Sequence, residues 1–183
     1  MSDPRYPLGP FHFEPPVEAA QRRDWIDRIA AVPARLGAAL AGLDPADLEL
    51  RYREGGWTIR QVAHHVADSH LNAVVRTRLA LTEERPTIKP YDEAAWAELL
   101  DARTAPVEAS VRLLEVLHER WVILLRGMSE DDFARTFVHP QQSGERTLDW
   151  LVALYAWHGD HHVAQIAQAR DAGIRGGAPE PRP

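Results

Sequence analysis

The stretch TLDWLVALYAWHGDHHVAQIAQARDAG, residues 147–173, decides the fold because it has the pattern of one long helix. Thr147 is suited to cap the first turn and Gly173 stands where a helix commonly ends. Apolar side chains recur between them at helical spacing and form one stripe: Leu148, Leu151, Val152, Tyr155, Ile166 and Ala169. The pattern predicts a long helix from Leu148 to Ala172 that buries this stripe.

Three earlier segments carry the same helical periodicity. The first runs from about Val17 to Leu43, the second from a Thr58 cap to about Glu84, and the third from Pro106 to just before Gly127. A long connection with one short helix from near Asp92 separates the second helix from the third. We therefore predict an all-α four-helix bundle with a long crossover connection between helices 2 and 3. Before the last helix, residues 135–147 are expected to form a small hairpin or an irregular loop.

The length of 183 residues favours one domain. Residues 1–16 are rich in proline and predict an extended N-terminal lead-in. Residues 17–173 are expected to form the single bundle domain, and residues 174–183 a disordered tail.

Composition excludes several classes of function. The net charge of −6 and the lack of a basic stripe argue against a nucleic-acid partner. The sequence contains no apolar run of the ~20 residues that span a bilayer, and residues 1–16 lack signal-peptide order, so we expect a cytoplasmic protein without a membrane partner. Because the chain has no cysteine, any metal must be held by His, Asp or Glu.

Two histidines of the last helix lie on its buried stripe. His158 and His162 are four residues apart, so their rings stand one above the other, whereas His161 falls at the edge of the stripe. Two buried imidazoles this close would be costly without partners, and a shared divalent cation would keep both rings neutral. The spacing therefore favours a metal site over a paired structural network.

Gly159 separates this pair from the zinc proteases. Those enzymes have Glu directly after the first histidine as the general base, and here that position is Gly159. A glycine inside a helix costs about 1 kcal/mol relative to alanine. We infer that a neighbouring helix or a ligand approaches the backbone there.

A third ligand must come from another helix. On the second helix, His64 and His65 flank the centre of the apolar face almost symmetrically, and periodicity does not choose between them. His70 lies close to that centre and reads as a core or interhelical hydrogen-bonding residue. The remaining histidines are interpreted as structural or solvated: His12, His118 and His139.

Charged residues near these histidines allow further interpretations. Carboxylates that could orient the ligand imidazoles are Asp68, Asp149 and Asp160. Arginines of the second helix that could bind an anionic substrate are Arg60, Arg76 and Arg78, although a solvated face is the favoured interpretation.

Four blocks of sequence together resemble the YfiT branch of the DinB-like superfamily. They are YREGGWTIRQVAHHVADSH (52–70), RPTIKPYDEAAWAEL (85–99), LHERWVILLR (117–126) and LYAWHGDHH (154–162). The resemblance implies a homodimer of four-helix bundles, with one Zn or Ni ion per subunit bound by three histidines. The first histidine of the family pattern comes eight residues after the helix-starting tryptophan, here Trp57, which selects His65. The other two match His158 and His162.

Three neutral histidine ligands leave a coordination position open, which is typical of catalytic metal sites. Our leading hypothesis is a metal-dependent hydrolase that activates water against a small-molecule substrate, as YfiT-like proteins are usually described. One alternative is an S-transferase whose metal holds a low-molecular-weight thiol such as bacillithiol. The other is a metal-binding protein without catalysis, since no general acid or base can be named.

Overall fold

The computed structural model describes residues 3–141 and 144–175. Seven α-helices follow one another in this part of the chain: α1 Ala19–Leu40, α2 Ile59–Thr82, α3 Glu93–Ala97, α4 Leu100–Thr104, α5 Val107–Arg126, α6 Glu130–Ala134 and α7 Leu148–Ala172. The long helices α1, α2, α5 and α7 form a four-helix bundle, as predicted. Within the described ranges, no helix is both long and apolar enough to cross a membrane.

The order of the long helices around the bundle is unusual. Helix α1 packs against α5 and α7, and α2 packs against the same two helices, so α1 and α2 lie diagonally across the core. Helices α2 and α5 run parallel, because the start of α2 at His64 contacts Ser110 and its later Thr77 contacts Trp121. A parallel neighbour requires a return along the length of the bundle. The connection 83–106, which holds α3 and α4, makes this return and confirms the predicted crossover.

Local sequence sets the helix ends largely as expected. Thr58 and Gln61 form a capping box at the start of α2, and the Thr147 hydroxyl accepts a hydrogen bond from the backbone of α7. Gly173 ends α7 with a left-handed φ of 59°. Helix α1 is shorter than predicted and ends at Leu40, because Ala41 is extended and Gly42 has a φ of 75°.

Two small antiparallel pairs of strands accompany the helices. β2, Thr136–Val138, pairs with β3, Glu145–Thr147, and forms the hairpin predicted as one of two possibilities. β1, Leu50–Arg51, pairs with β4, Ile174–Arg175. The first two residues of the predicted tail are therefore ordered by this backbone pairing, and residues 176–183 lie outside the described residues.

The N-terminal lead-in packs on the bundle. Phe11 and Phe13 lie against one of its two apolar core clusters. Gln165 of α7 donates a hydrogen bond from Nε2 to the Arg5 carbonyl at 3.1 Å, and Gln168 donates to the Pro4 carbonyl at 3.2 Å. The lead-in is thus tied to the helix that carries His158 and His162.

Helix α1 approaches the backbone of α7 closely at Gly159. A Cβ atom built at Gly159 would lie 2.4 Å from Val32 Cγ2 of α1. The close neighbour inferred from the sequence is therefore a helix side chain. Since Val32 is β-branched and buried, it has little freedom to move away.

We predict that Gly159→Ala destabilises the protein by about 1–3 kcal/mol, the usual cost of overpacking, despite the better helix propensity of alanine. Urea unfolding measures this difference. Gly37→Ala in α1 is the matched control, because its Cβ would meet Val111 at an ordinary 3.6 Å. Equal stability of the two variants would show that the contact with Val32 relaxes without cost.

Candidate metal centre

Three histidines from two antiparallel helices meet inside the bundle. His65 of α2 faces His158 and His162 of α7, and one ring nitrogen from each lies within 4.8 Å of the other two. The Nε2 atoms of His65 and His158 are 3.2 Å apart, and those of His158 and His162 are 3.1 Å apart. The structure therefore brings together the three residues that the sequence singled out.

The spacing of these nitrogens fits a single metal ion. Two nitrogens that each lie 2.0–2.1 Å from a tetrahedral ion are separated by about 3.3 Å. His65 and His162 are buried and His158 is partly buried. Neutral imidazoles in this arrangement suit zinc, nickel and similar divalent ions.

The proton on His162 supports the same conclusion. Gln165 donates its Nε2 hydrogen to the Arg5 carbonyl, which turns its Oε1 toward His162 Nδ1 at 2.8 Å. An amide oxygen only accepts hydrogen bonds, so Nδ1 of His162 carries the hydrogen. In the neutral ring Nε2 then carries no hydrogen, and its lone pair points toward His158. A metal ligand needs such a free lone pair.

The rings of His64 and His161 point away from the three-histidine cluster, although each is adjacent in sequence to one of its members. His64 points toward α5 and the loop before it, where its ring nitrogens contact Ser110 Oγ at 2.7 Å and the Ala105 carbonyl at 3.1 Å. His161 stacks on Trp157 with ring centroids 4.4 Å apart, outside the cluster. His65 packs its ring 4.7 Å from Trp57. Helical periodicity alone left His64 and His65 equivalent, because both lie at the edges of the buried face.

None of the three carboxylates suggested by the sequence hydrogen-bonds a clustered imidazole within the described residues. Asp149 pairs with Arg22, whose Nε lies 2.6 Å away. Asp160 pairs with Arg28 at 2.9 Å and with Arg35. For Asp149 and Asp160 the proposed orienting role is wrong, because both carboxylates join α7 to α1. Burial and the nearby charge of Asp101 raise the pKa of Asp68 to about 6.

Several polar side chains that lie one helical turn from the cluster were not predicted from the sequence. The Tyr155 hydroxyl, three residues before His158, accepts hydrogen bonds from Ser69 Oγ at 3.3 Å and from the Arg76 guanidinium at 3.4 Å. Arg76 is partly buried, so the solvated reading of this arginine is wrong. Spacings of three or four residues from a ligand would have found Ser69, Tyr155 and Gln165.

Two further histidines extend from the cluster into the core. His158 Nδ1 lies 3.3 Å from His70 Nε2, and His70 Nδ1 lies 2.9 Å from His118 Nε2. His118 Nδ1 donates to the Ile29 carbonyl of α1 at 2.8 Å. His70 thus makes the interhelical contact expected from its place on the helix.

Burial keeps these imidazoles neutral. Removal from water lowers the pKa of His65 to about 4, with a smaller contribution from His161. It also lowers the pKa of His118 to about 4. Burial and neighbouring imidazoles hold the pKa values of His70, His158 and His162 well below the usual range. Neutral rings are the form that binds metal.

Fold and site together define a four-helix bundle protein with a three-histidine cluster between two of its long helices. Known proteins share this architecture. The model of the DinB superfamily matches residues 19–166, and the chain belongs to this superfamily. The resemblance seen in the sequence is thereby confirmed.

Individual relatives agree over nearly the whole chain. A protein from Bacillus cereus and one from Bacillus anthracis, both named "Putative metal-dependent hydrolase", are each 48% identical over 170 residues, 93% of this chain and 97% of theirs. The structure of YfiT from Bacillus subtilis, described as "a probable metal-dependent hydrolase with an unusual four-helix bundle topology", matches with a TM-score of 0.90 and 43% identity. That match covers 93% of this chain and 98% of YfiT.

We predict that the metal-free protein loses stability as the pH falls from 6.5 toward 4. An unfolded histidine has a pKa of 6.5, whereas His65 and His118 have folded values of about 4. The unfolded state binds more protons in this window, so each of the two groups contributes a slope of about 1.4 kcal/mol per pH unit. Urea unfolding at intervals between pH 7.5 and 4.5 measures the slope.

The control for this titration is His12→Gln, which alters an exposed ring. Its unfolding free energy should follow the wild-type pH dependence. His118→Gln should reduce the slope of the unfolding free energy against pH by the contribution of one histidine, about 1.4 kcal/mol per pH unit. A wild-type unfolding free energy that stays constant between pH 6.5 and 5 would contradict the prediction.

Proposed function

We propose that this protein is a metal-dependent hydrolase that binds one divalent ion through Nε2 of His65, His158 and His162. The observation that carries the proposal is the convergence of these nitrogens at 3.1 and 3.2 Å, with a bare lone pair on His162. The names of the relatives from Bacillus point in the same direction. We propose Zn or Ni as the ion, because all three donors are imidazoles.

A divalent ion held by His65, His158 and His162 would act as a Lewis acid, which would make water a nucleophile at neutral pH and polarise a substrate carbonyl. The chain contributes the surroundings of this chemistry. His158 is the least buried of the three histidines, and we infer that a substrate reaches the cluster beside it. We infer that Tyr155, Ser69 and Arg76 bind a polar group of a small-molecule substrate, since the two hydroxyls lie one helical turn from the ligands and the Arg76 guanidinium hydrogen-bonds to Tyr155.

Metal analysis of purified, untagged protein tests the ligand set. We expect about one Zn or Ni per chain in the wild type after metal loading, and loss of this metal in His65→Ala, His158→Ala and His162→Ala. His161→Ala is the control, since its ring is outside the cluster and stacks on Trp157. Circular dichroism confirms that each variant is folded. Wild-type protein that binds neither ion would overturn the proposal.

The reaction is tested with a panel of nitrophenyl esters and amides. Loaded protein should release nitrophenol or nitroaniline, and both chelation and His162→Ala should abolish release, without any need for added thiol. Conjugation of monochlorobimane that requires bacillithiol, with no hydrolysis, would instead support the S-transferase. Stoichiometric metal with neither activity against any substrate would support a binding protein.

We also propose a homodimer. Large exposed apolar side chains lie on the outward faces of the neighbouring helices α2 and α5. On α2 these are Leu71 and Val75, and on α5 they are Leu113, Val116 and Ile123. On each helix they recur at helical spacing, which makes two parallel apolar stripes. A second copy of the chain would remove these stripes from water.

Light scattering coupled to size-exclusion chromatography tests the dimer. We expect twice the mass of 20.6 kDa for the wild type and a monomer for the double variant Val116→Glu/Ile123→Glu, whose side chains are 62% and 69% exposed. Charges placed at these sites would be buried without partners in the dimer. Leu8→Glu, an exposed apolar site in the lead-in, should remain dimeric. A monomeric wild type would refute the assembly.

A further inference from the structure

A line of imidazoles joins the three-histidine cluster to the far side of the bundle. It begins at His158 of α7, passes through His70 of α2 and His118 of α5, and ends at the Ile29 carbonyl of α1. Each of the four long helices therefore supplies one member. His70 and His118 are buried and lie outside the three-histidine cluster, so the chemistry proposed above gives them no task.

The carbonyl at the end of the line sets the position of every hydrogen in it. Ile29 O can only accept a hydrogen bond, so His118 Nδ1, at 2.8 Å, must donate. In a neutral ring His118 Nε2 is then an acceptor, and it takes the hydrogen of His70 Nδ1 at 2.9 Å. His70 Nε2 becomes an acceptor in turn and takes the hydrogen of His158 Nδ1 at 3.3 Å.

This order of hydrogens determines which nitrogen of His158 is bare in the three-histidine cluster. With its hydrogen on Nδ1, neutral His158 presents a bare Nε2 toward His162 Nε2, which is also bare because of Gln165. Two lone pairs then face each other at 3.1 Å with no hydrogen between them. This arrangement is unfavourable by itself and becomes favourable when a cation binds both nitrogens.

The opposite order of hydrogens is disfavoured at the carbonyl. A hydrogen on His118 Nε2 would leave the lone pair of Nδ1 facing the lone pairs of Ile29 O in the core, where His118 is 2% exposed. In that order His118 Nε2 would donate to His70 Nδ1 and His70 Nε2 would donate to His158 Nδ1, so the hydrogen of His158 would lie on Nε2. Protonation of either ring, which would carry a hydrogen on both nitrogens, is opposed by burial.

We propose that His70 and His118 are positioning residues that fix the Nδ1–H tautomer of His158, so that its Nε2 is always available to the metal. The proposal rests on the metal site described under the proposed function. It assigns two core histidines a role in metal affinity through hydrogen-bond polarity. A chain of hydrogen bonds anchored on a backbone carbonyl also holds the ring plane of His158.

The tautomers can be observed without metal. Long-range proton–nitrogen correlation spectra of protein labelled with ¹⁵N-histidine, treated with chelator at pH 7.5, distinguish Nδ1–H from Nε2–H in each ring. We expect the Nδ1–H form for His118, His70 and His158. Assignment uses spectra of the single variants. An Nε2–H form of His158 in the wild type would overturn the proposal.

Zinc affinity measured by competition with a chelating dye tests the consequence. His118→Phe keeps an aromatic ring but removes both hydrogen-bonding atoms, and we expect zinc to bind about 10–100-fold more weakly. His118→Gln can accept from His70 through its oxygen and donate to Ile29 O through its nitrogen. It should restore zinc affinity to within a few-fold of the wild type.

The matched control is His64→Phe. His64 is a buried histidine at the same α2–α5 interface, bonded to Ser110, without contact to the cluster. Zinc affinity should be unchanged in this variant, whereas equal weakening in His64→Phe and His118→Phe would mean that only interface packing matters and would refute the role. Unchanged affinity in His118→Phe would refute it as well.

The two proposals can fail separately. If the wild-type protein binds no zinc, the metal site is wrong, while the spectra of the metal-free protein still decide the order of hydrogens. If zinc binds at one ion per chain but the tautomer of His158 does not depend on His118, the positioning role is wrong. If His118→Phe does not fold, His118→Gln and the wild-type spectra provide the test.

Discussion

The structure depends on the requirement that imidazoles buried in a bundle core stay neutral and find partners. Each neutral ring offers one donor and one acceptor, and an unsatisfied buried group costs about 1–3 kcal/mol. His118 meets the requirement through a backbone carbonyl, His70 through two neighbouring rings, and His162 through Gln165. The Nε2 atoms that converge between α2 and α7 have no hydrogen-bond donor in this arrangement, and a bound cation would satisfy them.

The helices that carry these rings are held in place by contacts outside the cluster. Gly159 lets α1 approach α7, and two ion pairs, Arg22–Asp149 and Arg28–Asp160, join the same helices along their length. The lead-in adds a further tie, since the Arg5 carbonyl orients Gln165. The cluster therefore depends on residues from segments distant in the sequence, including the N-terminal lead-in.

Much of this could be predicted from local pattern. The periodicity of apolar residues located all four long helices, and the caps at Thr58, Thr147 and Gly173 set several of their ends. The spacing of His158 and His162 indicated a shared ligand because rings four residues apart on a helix meet in any context. Orientation around a helix axis is a property of the sequence, so these inferences needed no knowledge of the neighbours.

Choices that depend on a neighbouring helix could not be made in this way. His64 and His65 lie on opposite edges of one buried face, and only the antiparallel packing of α2 on α7 turns His65 toward the cluster. Asp149 and Asp160 were suggested as carboxylates that orient imidazoles, but they form ion pairs with arginines of α1. The sequence by itself determined the helices, their buried faces and the candidate ligands, since these follow from local propensity and periodicity. Only the tertiary structure decided which side chains meet across helices, because that depends on the order and direction in which the helices pack.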